Sequence, residues 1–109
     1  MYFLIYNGYD PNSFLLQACK NGNKEVVDFL FRKGANLNHK VKHGFTALMA
    51  VSEKGHIEIL RMLLDKGAEI DIQDKNGKTA LMWAIIFKHI EIVTILLDKG
   101  TNIDHQRPF

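Results

Sequence analysis

The sequence predicts an all-α repeat solenoid, and three observations carry that expectation. The first is a strict period. Gly34, Gly67 and Gly100 stand 33 residues apart, as do Leu30, Leu63 and Leu96, Leu15, Leu48 and Leu81, and Ser13, Thr46 and Thr79. Aligned without a gap, residues 41–73 and 74–106 agree at 18 of 33 positions, and residues 8–40 and 41–73 agree at seven. The second is the content of each period: two short helix-compatible runs parted by a turn. Helices of about eight residues are not stable alone in water, so they must stack on copies of themselves. The third is continuity. The 109 residues hold two prolines, Pro11 and Pro108, both near the ends, with no Pro/Ser-rich linker between them.

Taken in order, residues 1–7 align with the tail of a preceding unit, Leu4-Ile5 standing where Leu37-Asn38 and Ile70-Asp71 stand. Residues 8–40 form the first unit. Its Asp10-Pro11-Asn12-Ser13 predicts an irregular finger. The second unit, 41–73, is the clearest. Thr46 is placed to cap the run Ala47 to Lys54, and Gly55 is placed to end it in a left-handed conformation. The run Ile57 to Lys66 puts Ile59, Leu60, Leu63 and Leu64 on one helical face. Lys66 then suits the negative helix end, and Gly67 stops the helix. The stretch Glu69 to Gly77 alternates and closes on Asn76-Gly77, a hairpin-turn signal. The third unit, 74–106, repeats this plan. Lys88 stands where glycine ends the first helix, which predicts a strained turn. Residues 107–109 read as the start of a further finger.

Composition narrows the chemistry. Fourteen Lys and Arg against twelve Asp and Glu leave a formal net charge of +2, not the footprint of a dedicated nucleic-acid binder. No stretch approaches the length of a membrane span, and the six apolar residues at the start lack the flanks of a secretory signal. One cysteine, Cys19, excludes an internal disulfide and predicts a buried, inert thiol. Catalytic, cofactor and metal sites are all expected to be absent. His56-x-Glu58 and His89-x-Glu91 give half of a zinc deaminase signature without its Pro-Cys-x-x-Cys half. Asp74-x-Asn76-Gly77 fails as a calcium loop because Ile72 and Trp83 stand at ligand positions. His39 and His105 are held two units apart, and no Gly-rich phosphate loop occurs.

The units resemble the ankyrin repeat. The likeness is carried by Gly44-x-Thr46-Ala47-Leu48, Gly55-His56-x-Glu58-Ile59 and Leu63-Leu64-x-x-Gly67-Ala68-x-Ile70-Asp71. The third unit matches with Gly77-x-Thr79-Ala80-Leu81, His89-x-Glu91-Ile92-Val93 and Leu96-Leu97-x-x-Gly100. The first matches from Ala18 onward, through Gly22, Glu25-Val26-Val27, Leu30 and Gly34-Ala35. Coverage is residues 8–106. Two departures stand out: Thr-Ala-Leu-Met replaces the family's Thr-Pro-Leu-His, and Lys88 replaces glycine.

The resemblance implies helix-turn-helix units with β-hairpin fingers. It also implies a non-catalytic module that holds a protein partner in a concave groove of fingers and first helices. By position, the groove candidates are Lys42, His43, Phe45, Glu53 and Lys54 in the second unit, and Lys75, Asn76, Lys78, Ile86 and Phe87 in the third. The first unit adds Tyr9, Asp10, Asn12, Lys20 and Asn21. Lysine-rich fingers beside Ile86 and Phe87 suit an acidic or amphipathic protein segment, with no specific nucleic acid and no membrane as partner. Trp83 is expected to pack rather than to contact a partner. The alternative function is a targeting or substrate-recruiting segment of a larger enzyme, channel or secreted effector. Asn38, eight residues after Leu30, matches the position of asparaginyl hydroxylation in such repeats. The outer face of the third unit is expected to expose Ile85, Phe87, Ile92 and Ile95, so that uncapped ends favour self-association. The expected location is the cytoplasm, or a host cell entered as a secreted effector.

Overall fold

The computed structural model describes residues 11–100. The expectations for residues 1–10 and 101–109, including Tyr9, Asp10, His105 and both end segments, lie outside them. Among the described residues six α-helices follow one another: α1 (Asn12–Asn21), α2 (Lys24–Arg32), α3 (Ala47–Lys54), α4 (Ile57–Asp65), α5 (Ala80–Ile86) and α6 (Ile90–Asp98). They stack as three pairs in two layers, α1, α3 and α5 in one and α2, α4 and α6 in the other. This is the expected solenoid.

The helix ends follow from local chemistry. Thr46 Oγ1 accepts the Met49 N–H and Thr79 Oγ1 accepts the Met82 N–H, each at 3.3 Å, so both threonines cap as expected. Asn23 Oδ1 caps α2 by accepting the Val26 N–H. The first pair differs. Helix α1 begins at Asn12, with Pro11 at its cap and no side-chain cap bond, so Ser13 lies inside the helix. Proline pre-sets the helical φ there, and the helix starts earlier than its counterparts.

The core is one cluster running through both layers. Leu30, Leu60, Leu63 and Leu96 are fully buried, with Val27, Met49, Val51 and Ile92. Helix α3 is buried along all of Ala47 to Ser52, because α1 and α5 flank it and α4 covers it. Cys19 and Ser52 occupy equivalent small slots between successive pairs, both with no exposed surface.

On the outer face of the third pair the expectation needs correction. Ile85 and Phe87 are exposed, but Ile92 and Ile95 are buried, at 0% and 8% exposure. Helical phase explains it: Ile92, Ile95 and Leu96 point into the pair, while Ile90 and Leu97 share the opposite face, 75% and 44% exposed.

The fingers are also refined. Among the described residues no strand forms. The finger of the third unit is a tight turn closed by two backbone bonds: Asp74 N–H to the Lys78 carbonyl and Gly77 N–H to the Asp74 carbonyl, both 2.9 Å. The second finger is closed likewise, from Val41 to the Phe45 carbonyl and from Gly44 to the Val41 carbonyl. The fingers join sideways instead of extending into a ladder, since the Lys75 N–H donates to the His43 carbonyl at 2.7 Å.

Candidate functional site

The backbone aims this carbonyl. His43 sits at φ 66, ψ 15, a left-handed conformation that histidine tolerates better than bulkier residues. The turn brings its peptide against the next finger and sets the spacing of the two tips.

Between the fingers and the first helices lies an open depression of about 420 Å³, lined by Leu16 and Lys20 of α1, Val41, Lys42, His43, Phe45, Glu53 of α3, Asp74, Asn76 and Trp83 of α5. An aromatic series runs through it. Phe45 meets Trp83 edge-on, with centroids 5.5 Å apart and planes at 89°. Trp83 then stacks on Phe87 at 6.0 Å with planes 9° apart. Lys20 Nζ stands 5.8 Å from the Phe45 ring centre and Lys78 Nζ 6.0 Å from that of Trp83. The Asp74 carboxylate is held by three donors. Its Oδ1 accepts the N–H groups of Asn76 and Lys78, and its Oδ2 accepts the Trp83 indole N–H at 3.2 Å.

The structure thus gathers Lys42, His43, Phe45, Glu53 and Asn76 around one depression and attaches Lys78 and Phe87 through Trp83. Lys54, Lys75 and Ile86 lie outside its lining. Sequence reasoning placed Trp83 in packing, but the indole forms a wall of the depression while also packing on Phe45 and Phe87. Its spacing nine residues from Asp74, within reach of the finger turn, was the signal available. Leu16 was not singled out at all.

The other candidate positions have structural uses. The Nε2–H of His56 donates to the Lys20 carbonyl at 2.8 Å, and that of His89 to the Glu53 carbonyl at 2.9 Å. Each ring lies over the glycine ending the preceding first helix. A Cβ on Gly22 or Gly55 would fall 2.7 Å from it. Cys19 is buried, and burial pushes its thiol up to about 12. Asn38 clamps two units together: Nδ2 donates to Glu69 Oε1 at 3.0 Å, and Oδ1 accepts the Glu69 N–H at 2.9 Å. A larger depression of about 540 Å³ lies on the outer layer, among Lys24, Asp28, Glu58, Arg61, Met62, Asp65 and Lys66. Two of its charge pairs cross units, Lys24 with Glu58 and Arg61 with Glu91, each at 3.6 Å, and Asp28 pairs with Arg32 within α2. These are exposed pairs of small energetic worth.

Stacked helix pairs, finger turns bonded side to side, and a depression shared by successive units define a helical repeat protein that offers a composite surface. A family model of ankyrin repeats in three copies matches residues 15–107. The chain belongs to the ankyrin repeat family. It is 54% identical over 28 residues to an ankyrin repeat and KH domain-containing protein of Caenorhabditis briggsae, covering 26% of this chain and 1% of that protein. It is 48% identical over 29 residues to the ankyrin repeat and KH domain-containing protein mask-1 of Caenorhabditis elegans, covering 27% and 1%. The chain spans about 1% of the length of these relatives. Ankyrin repeats are a non-catalytic type of module that generally binds protein partners. Among the described residues no helix is long and apolar enough to cross a membrane.

Proposed function

We propose that this chain is a non-catalytic protein-interaction module of three units, 8–40, 41–73 and 74–106, and that its groove holds an acidic or amphipathic segment of a protein partner. The observation that supports the reading most is the aromatic series Phe45, Trp83 and Phe87 bordered by Lys20, Lys42 and Lys78. Aromatic residues set in a partly desolvated hollow are the usual carriers of binding energy at protein interfaces. Replacing Lys42, Lys78 and Phe87 together by alanine is expected to weaken partner binding by tenfold or more, about 1.4 kcal/mol, while the thermal melt stays cooperative. Partner affinity unchanged by that triple substitution overturns the groove assignment.

A second reading places the same groove in a targeting or substrate-recruiting segment of a larger enzyme, channel or secreted effector. The small share of the relatives' length that the chain spans favours it. Sequencing the natural transcript for a reading frame that continues past residue 1 or 109 tests it. Two further proposals attach to particular residues. Asn38 is a candidate for hydroxylation, though its amide must first leave Glu69, and mass spectrometry for one added oxygen reads this out. The apolar outer face of the third unit, Ile85, Ile90 and Leu97, is a candidate surface for self-association. A free, buried Cys19 accords with a reducing compartment such as the cytoplasm, of this cell or of a host.

A further inference from the structure

We propose that the hollow walled by Leu16, Val41, Phe45 and Trp83 is an anchor pocket for one aromatic side chain of an acidic partner segment, and that it disfavours basic segments. The proposal rests on the groove reading above and adds the chemistry of what is bound.

The walls decide the anchor. Leu16, Val41, Phe45 and Trp83 give an apolar interior, and about 420 Å³ of space admits a large side chain. Phe45 and Trp83 are in edge-to-face contact, with centroids 5.5 Å apart and planes at 89°, so a guest ring packs beside the pair, against the apolar wall that they form with Leu16 and Val41.

The rim decides the charge. Lys20 and Lys78 already stand over the faces of Phe45 and Trp83. A cationic guest, which would seek those same faces, meets like charge there. The ammonium groups keep donors for incoming carboxylates, with Lys42 exposed beside them. The chain's own acid in the pocket, Asp74, is fixed by two backbone N–H groups and the indole but keeps its negative charge, which offsets part of the lysine charge. Glu53, whose carboxylate makes no such bonds among the described residues, also opposes an acidic partner, and Lys20, Lys42 and Lys78 outnumber the two acids.

The same parts list, rings and lysines, also describes single-stranded nucleic-acid binders. Here the chain's net charge is only +2, and Lys20, Lys42 and Lys78 are too few to track an extended phosphate backbone.

Trp83 is the chain's one tryptophan, so its emission reports on the pocket directly. The full chain is titrated with four probes: a peptide with one phenylalanine between two glutamates on each side, its alanine analogue, its lysine-flanked analogue, and a single-stranded oligonucleotide. The phenylalanine–glutamate peptide is expected to bind saturably and at least about tenfold more tightly than the other three. Glu53→Gln is expected to tighten that binding about twofold to fivefold, a gain that a damaged fold does not produce. Equal binding of the phenylalanine and alanine peptides overturns the anchor. Preference for the lysine peptide or the oligonucleotide overturns the charge assignment. No saturable binding of the peptide up to about 1 mM also overturns the proposal. The groove reading survives that result if the Lys42, Lys78 and Phe87 triple substitution still abolishes binding of the protein partner, and falls if it does not.

Discussion

Lys88 holds a φ of 63 at the end of α5, where Gly22 and Gly55 hold 75 and 82 at the ends of α1 and α3. A side chain in this region costs about 1–2 kcal/mol, so Lys88→Gly is expected to raise unfolding stability by about 1 kcal/mol in a urea titration. Gly55→Ala is expected to cost more than Gly67→Ala. Both adopt positive φ, but only at Gly55 would the new Cβ strike a ring, that of His89, at 2.7 Å. The strain at Lys88 was legible in the sequence because the period marks which position wants glycine. The packing of His89 on Gly55 was not, since the two are 34 residues apart and belong to different units. A local reading of His89-x-Glu91 suggested only metal chemistry to be rejected. Cys19 carries the pH dependence. Its folded thiol titrates near 12 against 9.0 when free, so the unfolded chain loses that proton first. The contribution is fully present below pH 9 and is lost as pH rises from 9 towards 12. Urea midpoints at about pH 8 and about pH 10 are expected to fall further in the native chain than in Cys19→Ala.

Among the elements, α3 bears most of the inter-unit packing, and one polar atom is stranded in it. Ser52 Oγ is buried without a hydrogen-bond partner. A lone buried hydroxyl costs about 1–3 kcal/mol, so Ser52→Ala is expected to stabilise the array despite losing an atom. Asn38 works in the opposite sense. Asn38→Ala removes two bonds to Glu69 and is expected to cost about 1–2 kcal/mol, read as a lower melting temperature. Helix positions were legible because apolar spacing, threonine caps and terminal glycines act within a single turn of chain. The finger structure was not. The alternation from Glu69 to Gly77 suggested paired strands, yet the Lys75 N–H turns to the carbonyl of the neighbouring finger, a bond no local pattern encodes. The phase of α6 was misjudged for Ile92 and Ile95 because all its apolar residues, read without the partner helix, qualify for either face.

For the whole molecule, the 33-residue period makes stability a property of neighbouring units rather than of any one pair. The third pair leaves Ile85, Ile90 and Leu97 exposed on the side that in the earlier pairs receives the next unit. Ile85 occupies the slot filled by Cys19 and Ser52. If this face self-associates, light scattering is expected to show mass rising with concentration, and Ile90→Asp to hold the chain monomeric. A strict monomer at high concentration contradicts it. The two depressions on opposite layers offer a sharper choice. The outer one is larger, but six of its seven lining residues are charged, and Lys24 and Arg61 already pair with Glu58 and Glu91 of the next unit. The inner one has an apolar floor, and Lys20, Lys42 and Lys78 outnumber its two carboxylates, Glu53 and Asp74. Nuclear magnetic resonance of the labelled chain with its protein partner distinguishes the two. On binding in the groove, the Trp83 indole N–H and the amides of Phe45 and Lys78 are expected to shift, while α2 and α4 stay unmoved. Shifts gathered instead at Lys24, Asp28, Glu58 and Arg61 on the outer layer contradict it.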